Sequence, residues 1–573
     1  MILALDTETT GLDRNARPFA VAIYMEDYRN RFWQTEVCLE TRRPLWNPKD
    51  IEKIRDFLSE ASTVVMHNRK FDLRMLGYIG LESKELWDKT EDTLPLSHLV
   101  DSYGSHGLKD LGKDWLGISK DDEESLKKEV RLARREAKKE GLLVGEKVEY
   151  DYFLPRYFNK DHVSLMEYCI NDVKRTLKLY EMFYPVIAAS ERLLKLYQRE
   201  KQIQWISQKM EDKGVLLNID KVHKRIQEHK DISALAEASC KISEENDDLN
   251  IRSHKQMKGV IYEKYKTSVR VYTTSGLPST DKEALDIIRE GEPAYTFVQY
   301  VKKYKNSMKA IQFLENYLAR IDKENVLHPN FNPTGTRTTR FSSSDPNLQN
   351  VAKRSAIPLR DIFIPRPGKV WLCIDYDQLE LRILAKLAEI KKLQTAFVEG
   401  IDIHQQLADE IQVSRDAAKT VHYAAVYGAG HNKLDGMTGV LGIKTKMEKA
   451  YPEWVKFARE REQYSLDKNR TFTRGGYPLV VPRDKAYTAT NYVIQGTAGD
   501  ILKEAMLNID REGFLKYLVL TIHDELVFEI PEKLIWLKDT LKNCMVKAGT
   551  KFGIHTPVDA TLCKDHWGEG EKI

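Results

Sequence analysis

The run KVWLCID is rich in β-formers and ends at Asp375, and far downstream the strand-like runs LVLTI and LVFEI are separated only by His523, Asp524 and Glu525. Acids at a strand end and at a hairpin tip are costly to bring together unless a cation neutralises them. Two aspartates from separate strands could hold two Mg²⁺ ions about 3.5–4 Å apart, one activating an attacking hydroxyl and one holding a triphosphate and its leaving group. A second set of acids stands near the N-terminus. Asp6 and Glu8 are two apart on a predicted strand and leave the same face, Asp72 lies in HNRKFD, and Tyr168 and Asp172 are four apart on a predicted helix. Four such acids could hold two metals that turn water into a nucleophile against a phosphodiester, with Tyr168 positioning that water. Singly, each of these acids is an ordinary turn or surface residue.

A third pattern supplies positive charge. In RDAAKTVHYAAVYGAG, Arg415, Lys419, Tyr423 and Tyr427 recur every fourth residue, so on a helix they wind slowly along one face and end at Gly428 and Gly430, which can stop it. Two cations followed by two phenols suit a nucleoside triphosphate, the cations gripping phosphate and an aromatic ring lying against base and sugar. The alternative is an amphipathic surface helix with chance basic residues.

These residues need a large scaffold. At 573 residues the chain is expected to hold roughly three or four domains. Its hydrophobic content of 42% is ordinary and no apolar run approaches a membrane span. The charge at Asp6 leaves no room for a signal peptide, and the six cysteines show neither a CxxC pair nor zinc spacing. The expectation is a cytoplasmic protein, in a bacterial cell or a phage-infected host, with reduced and mostly buried thiols. A net charge of +4 gives only weak support to a nucleic-acid partner.

The positioning elements can be read along the chain. Residues 2–5 and 21–24 are predicted strands, STVVMHN another, and LMEYCINDVKRTLKLYEMF a helix, which makes an α/β domain to about residue 185. The segment from Lys120 to Gly141 has alternating charges and is predicted to be a solvated helix. Residues 190–325 read as helical, with Ser279 or Thr280 capping a helix after TTSGLPSTDKEAL. HPNFNPTGTRTTRFSSSDPNLQN reads as a polar linker, and strands and helices alternate after it.

Taken together the motifs resemble those of family A DNA polymerases, the polymerase I (Klenow-like) group and its phage relatives. DYDQLELRI is similar to motif A, RDAAKTVHYAAVYG to motif B and TIHDELVFEI to motif C, while TTRFSSSDPNLQN and NYVIQGTAGDILKEAM are similar to segments at the thumb base and on the palm. DTET, HNRKFD and YCIND are similar to the three exonuclease motifs of the DEDD group with tyrosine. The resemblance implies an α/β and α+β multidomain fold, a ribonuclease H-like 3′–5′ exonuclease domain (1–187) followed by a right-hand polymerase with thumb (188–330), palm (331–400 and 486–573) and fingers (401–485). It implies Asp375, the Tyr376 position and Asp524 as metal ligands with Glu525 in support, and Asp6, Glu8, Asp72 and Asp172 as ligands of the second site, two Mg²⁺ in each with Mn²⁺ able to substitute. Arg415, Lys419, Tyr423, Tyr427, Glu380, His404 and Gln378 would meet the nucleotide. Arg340, Asn347, Gln349, Asn491, Gln495 and His523 would meet DNA near the primer end, where the minor groove tests pair geometry without reading sequence. Primer–template DNA and deoxynucleoside triphosphates are the implied partners of a monomer, with helicase, primase and single-strand binding protein as replisome candidates.

Two departures from the pattern carry expectations. The chain begins at the exonuclease motif, so a 5′ nuclease domain is not expected, and Tyr423 stands where many relatives have Phe, which implies weak discrimination against dideoxynucleotides. Two rivals remain. A single-subunit phage-type RNA polymerase shares the Lys and Tyr-Gly layout, but Glu380 is placed to block a 2′-hydroxyl and the N-terminal acids are foreign to it. A non-catalytic DNA-binding scaffold would not need every acid that this chain keeps.

Overall fold

A computed structural model describes residues 1–38, 41, 43–139, 163–351 and 357–573. The N-terminal sheet has strand order β3-β2-β1-β4-β5, where β1 is Ile2–Thr9, β2 Pro18–Met25, β3 Asn30–Gln34, β4 Thr63–Met66 and β5 Thr90–Asp92. β1 runs antiparallel to β2 and parallel to β4, and both N-terminal strands are longer than the sequence alone indicated. Side-chain alternation divides this sheet between two cores: Leu3, Leu5, Val21 and Ile23 go to one, and Ala4, Ala20 and Ala22 to the other. Asp6 and Glu8 continue the alanine side. β4 leads to helix α1 (Arg69–Gly77), which carries Asp72 in its first turn. The alanines leave room for helix α2 (Val163–Ala188) to lie against β1 and β2, and this brings Tyr168 and Asp172 to the strand acids.

The charged segment after residue 120 forms a helix, Asp121–Lys139, and the remainder of that expectation lies outside the described residues. The helix is not wholly solvated. Leu126 is buried, and Asp122 binds Lys109 and Arg175, so its first turn docks beside α2.

Helix α3 (Glu191–Lys213) links the two halves of the molecule, and α4 (Ile219–Glu244) packs along α5 (Tyr295–Leu318). Leu249 and Met257, in the segment between α4 and α5, build a small separate core with Phe297 and Val301 of α5. Here the capping expectation is corrected. Asp281, not Ser279 or Thr280, caps the helix Lys282–Asp286 by accepting from the Ala284 N–H, and the Ser279 hydroxyl instead accepts from the Asp281 N–H at 3.1 Å; a carboxylate is the better partner for the helix's positive end. The polar stretch after residue 328 is also more than a linker, since Asn330–Asn332 and Ser342–Ser344 pair as a two-stranded ribbon.

The second large sheet is antiparallel, in the order β7-β8-β6-β9-β10, from β6 (Lys369–Tyr376), β7 (Leu518–Ile522), β8 (Glu525–Pro531), β9 (Val558–Cys563) and β10 (Glu571–Lys572). Helices α6 (Leu379–Leu387), α7 (Ile403–Ile411) and α8 (Arg415–Val426) follow β6. Helices α9 (Ala489–Arg511) and α10 (Lys538–Lys551) share one continuous core with Leu372, Ile374 and Phe528 of the sheet. None of the six cysteines is in a disulfide, Cys38 being half-buried and the others buried, and among the described residues no helix is long and apolar enough to cross a membrane.

Candidate active sites

Main-chain pairing assembles the first acid centre. The antiparallel register sets Asp375 on β6 opposite Glu525 on β8, and the Tyr376 N–H donates to the Asp524 carbonyl at 3.3 Å. Two turns flanking these acids are strained: His523 has φ 51° and Gln378 has φ 52°, a left-handed conformation that costs a residue with a β-carbon about 1–2 kcal/mol. Asp375 is exposed, Asp524 half-buried and Glu525 buried. Arg360 binds Glu525 at 3.1 Å, and Arg340 lies 3.8 Å from Asp524 while also binding Glu380. Burial pushes the Glu380 carboxyl above its ordinary value and the Asp524 charge adds to this, against the pull of Arg340. The Tyr376 phenol donates to the Met545 carbonyl at 2.8 Å, which leaves its main-chain carbonyl as the oxygen it can offer a ligand.

Helix α8 presents the cation-and-phenol row. Ser414 caps it by accepting from the Ala417 N–H, and it ends at Tyr427 with Gly428 at φ 74°. Arg415 is held by Asp402 at 2.7 Å, while Lys419 makes no ion pair among the described residues. The Tyr423 ring lies 5.9 Å from that of His404, and burial, with Glu380, Asp377 and Asp524 nearby, pushes its phenol up to about 12. Tyr427 donates to Glu380 at 3.4 Å and is 48% exposed. Gln378 turns its amide N–H to Asp377 at 3.3 Å, with its oxygen enclosed and unpartnered.

The residues expected to meet DNA are brought together in part. Arg340, Gln349, His523 and Asp524 line one small crevice with Ala498 and Leu502 of α9. Gln349 braces the acid hairpin, donating to the Thr521 carbonyl at 2.8 Å and accepting from the His523 N–H at 3.0 Å. Asn347 accepts from the Gln349 N–H at 3.0 Å, and Gln495 accepts from the Thr338 hydroxyl at 3.4 Å. Asn491 has an enclosed, unpartnered oxygen and is not part of this crevice.

The second centre lies between β1, α1 and α2. Asp72 is buried and accepts from the Thr7 N–H at 3.1 Å and the Thr7 hydroxyl at 2.7 Å. Burial, then the Asp172 charge, pushes Asp6 up to about 8. Burial also raises Glu8, with repulsion from Asp6 and Asp172, and raises Asp72, with repulsion from Asp6. Tyr168 is raised for the same reasons. Asp172 is raised by burial in spite of two cations, Lys109 in direct contact and Arg175 at 2.9 Å. The Lys109 ammonium also lies 3.8 Å from the Tyr168 ring centre. Sequence reasoning missed Lys109, Asp122 and Arg175 here, and Arg360 and Asp402 at the first centre, none of which lies in a motif; it also missed Asp377, which lies within DYDQLELRI and holds Arg382 at 2.7 Å.

Both donor sets fit a hard divalent cation, since they are carboxylate oxygens whose mutual repulsion it would relieve. The side chains do not already close round a common point: among the described residues no three His, Cys, Asp or Glu groups converge in this way, so an ion binding here would draw them together.

Two acid centres on separate sheets, one of them under a helix of cations and phenols, place the fold in the class of two-centre phosphoryl-transfer enzymes. Comparison with known proteins narrows the class. Residues 220–569 match DNA polymerase family A and residues 2–188 match a 3′–5′ exonuclease. The chain belongs to DNA polymerase family A and carries a 3′–5′ exonuclease domain, as its motifs led one to expect. It is 28% identical over 597 residues to the DNA polymerase of Mycobacterium phage D29, an alignment covering 99% of this chain and 93% of that one. It is 26% identical to DNA polymerase I of Aquifex aeolicus, covering 99% and 95%. A solved structure of the POL domain of Pol1 from M. smegmatis, in complex with DNA primer-template and dNTP, shares the fold at TM-score 0.78 and 22% identity, over 98% of this chain and 95% of that one.

Proposed function

We propose that this DNA polymerase extends a primer 3′ end at the Asp375–Asp524 centre and trims mismatched 3′ ends at the Asp6–Glu8–Asp72–Asp172 centre. The observation that carries the reading is the register pairing of Asp375 with Glu525 beside Asp524, near the α8 row. Residues 1–187 act as the exonuclease, 188–330 as thumb, 331–400 with 486–573 as palm, and 401–485 as fingers. Arg415 and Lys419 bind the triphosphate, with Asp402 holding the Arg415 guanidinium in place between turnovers. Tyr423 and His404 line the sugar and phosphate side, and Glu380, fixed by Arg340 and Tyr427, takes the room a 2′-hydroxyl would need. Arg340, Gln349, Gln495 and His523 meet the primer terminus; Gln378, Asn347 and Asn491 are assigned to the nucleotide and DNA surfaces by resemblance alone.

Asp375, the Tyr376 carbonyl and Asp524 would hold Mg²⁺ at the first centre, with Glu525 in support, and the four N-terminal acids would hold it at the second; Mn²⁺ has the same oxygen preference. When bound, the ions supply the positive charge that lowers the pKa of the attacking hydroxyl or water and offsets charge on the leaving group. At the second centre Tyr168 orients the water and Lys109 limits the repulsion among the acids. Primer–template DNA and deoxynucleoside triphosphates are the partners of a monomer working in the cytoplasm, with helicase, primase and single-strand binding protein as replisome contacts. Primer extension with ribo- and deoxynucleotides tests the assignment. Preference for deoxynucleotides that Glu380→Ala relaxes supports it, and preference for ribonucleotides would overturn it.

A further inference from the structure

Behind α8 lies a hydrogen-bonded row that the proposed chemistry does not use. His404 Nδ1 and His422 Nδ1 are 2.9 Å apart, and His422 Nε2 is 3.2 Å from the Tyr451 hydroxyl. The three rings follow one another tilted, at 5.0 Å and then 5.7 Å between centroids. His404 enters from α7, His422 from α8, and Tyr451 from the turn between helices Ile443–Ala450 and Pro452–Lys468. His422 and Tyr451 are fully buried, and among the described residues His422 Nε2 is the only hydrogen-bond partner of the Tyr451 hydroxyl.

Two facing Nδ1 atoms bond only if one carries a proton and the other does not. Two arrangements satisfy this. In the first, Tyr451 O–H donates to His422 Nε2, His422 Nδ1–H donates to His404 Nδ1, and His404 carries its proton on Nε2. In the second every bond is reversed, and the Tyr451 proton is buried with no acceptor. An enclosed unpaired donor is the costlier outcome, so burial of Tyr451 selects the first. Burial pushes His404 down to about 4 and His422 down to about 3, the latter helped by His404. Asp402 and Asp377 pull His404 upward while Lys419 and Arg415 push it down, Glu410 lies near Tyr451, and Lys392 lies 5.7 Å from its ring.

We infer that Tyr451 and His422 are positioning residues that fix His404 in the tautomer bearing its proton on Nε2, so that it donates a hydrogen bond to the triphosphate of the incoming nucleotide. The inference rests on the reading above that His404 meets the nucleotide. His404 Nε2 has no protein partner among the described residues and is not among the enclosed atoms. The tautomer is thus set three groups away from the phosphate, by one buried phenol.

The test uses the full-length polymerase. Tyr451→Phe removes the terminal donor and is expected to raise the KM for a deoxynucleotide about 3- to 10-fold, the value of one hydrogen bond, with kcat within about twofold. Asparagine places its amide nitrogen where histidine has Nδ1, so in a His422→Asn background, where that amide donates to His404 directly, Tyr451→Phe should leave KM unchanged. Long-range ¹H–¹⁵N spectra of histidine-labelled protein should show the His404 proton on Nε2, assigned by its loss in His404→Ala, and partial transfer to Nδ1 in Tyr451→Phe. A proton on Nδ1 in the wild type would overturn the relay, as would, where His404→Ala itself raises KM, an unchanged KM in Tyr451→Phe or an equal effect in both backgrounds. If His404→Ala leaves KM unaltered while the spectra show the Nε2 tautomer, the nucleotide reading fails and the tautomer assignment stands.

Discussion

At the first acid centre the two hairpin acids each have an arginine, Arg340 near Asp524 and Arg360 on Glu525, and Asp375 faces solvent. At the second, Asp6 and Glu8 are half-buried and Asp72 and Asp172 buried, near enough to repel one another, and among the described residues the cations in direct contact bind Asp172 alone of the four. All four acids there are raised above their ordinary values, whereas at the first centre the raised carboxyl is Glu380, which the proposed chemistry does not use as a ligand. The contrast shows two ways to hold surplus negative charge. Neutralisation by fixed arginines keeps the first centre folded while Asp375 stays open to solvent. Crowding without full neutralisation leaves the second centre more dependent on an added cation.

Removing one acid from either centre is the largest expected effect. Asp524→Ala should lower extension by about 10³-fold or more while trimming continues, and Asp6→Ala or Asp72→Ala should do the reverse, since each deletes a group that stabilises transition-state charge. Next, Arg360→Met leaves Glu525 buried and unpaired and should cost about 3–5 kcal/mol of stability, read from chemical denaturation, whereas loss of Lys109 leaves Asp172 still bound to Arg175 and should cost much less. Tyr423→Phe should sharpen dideoxynucleotide discrimination by about 10- to 100-fold, one hydrogen bond to a charged group, measured as a ratio of kcat/KM values with trimming unchanged. Lys109→Met removes a charged hydrogen bond to Asp172 and should slow trimming about tenfold without altering extension. Equal losses in both activities for Lys109→Met would mean that the centres are not electrostatically separate.

What the sequence made legible depends on periodicity. Asp6 with Glu8 and Tyr168 with Asp172 were found because strand and helix periods put each pair on one face, and the α8 row because it recurs every fourth residue. Asp375 and Glu525 were expected near one another from the strand ends, and the register now pairs them. Nothing local marks Arg360, which acts 165 positions away from Glu525, or Lys109, which acts 63 positions away from Asp172. The helix after residue 120 was read as solvated because its charges alternate, and its Asp122 docks because buried cations from two other elements need a counter-charge. The Asp281 cap was missed for a smaller reason: three adjacent residues could each cap, and only the backbone decides among them.

Incubating a primer with a matched or mismatched 3′ end with deoxynucleotides and wild type, Asp6→Ala or Asp524→Ala protein separates the two centres most directly. The wild type is expected to trim the mismatch and then extend, Asp6→Ala to extend the matched primer and stall on the mismatched one, and Asp524→Ala to trim both and extend neither. Extension by Asp524→Ala at the wild-type rate, or removal of the mismatch by Asp6→Ala, would contradict two separate acid centres with divided tasks.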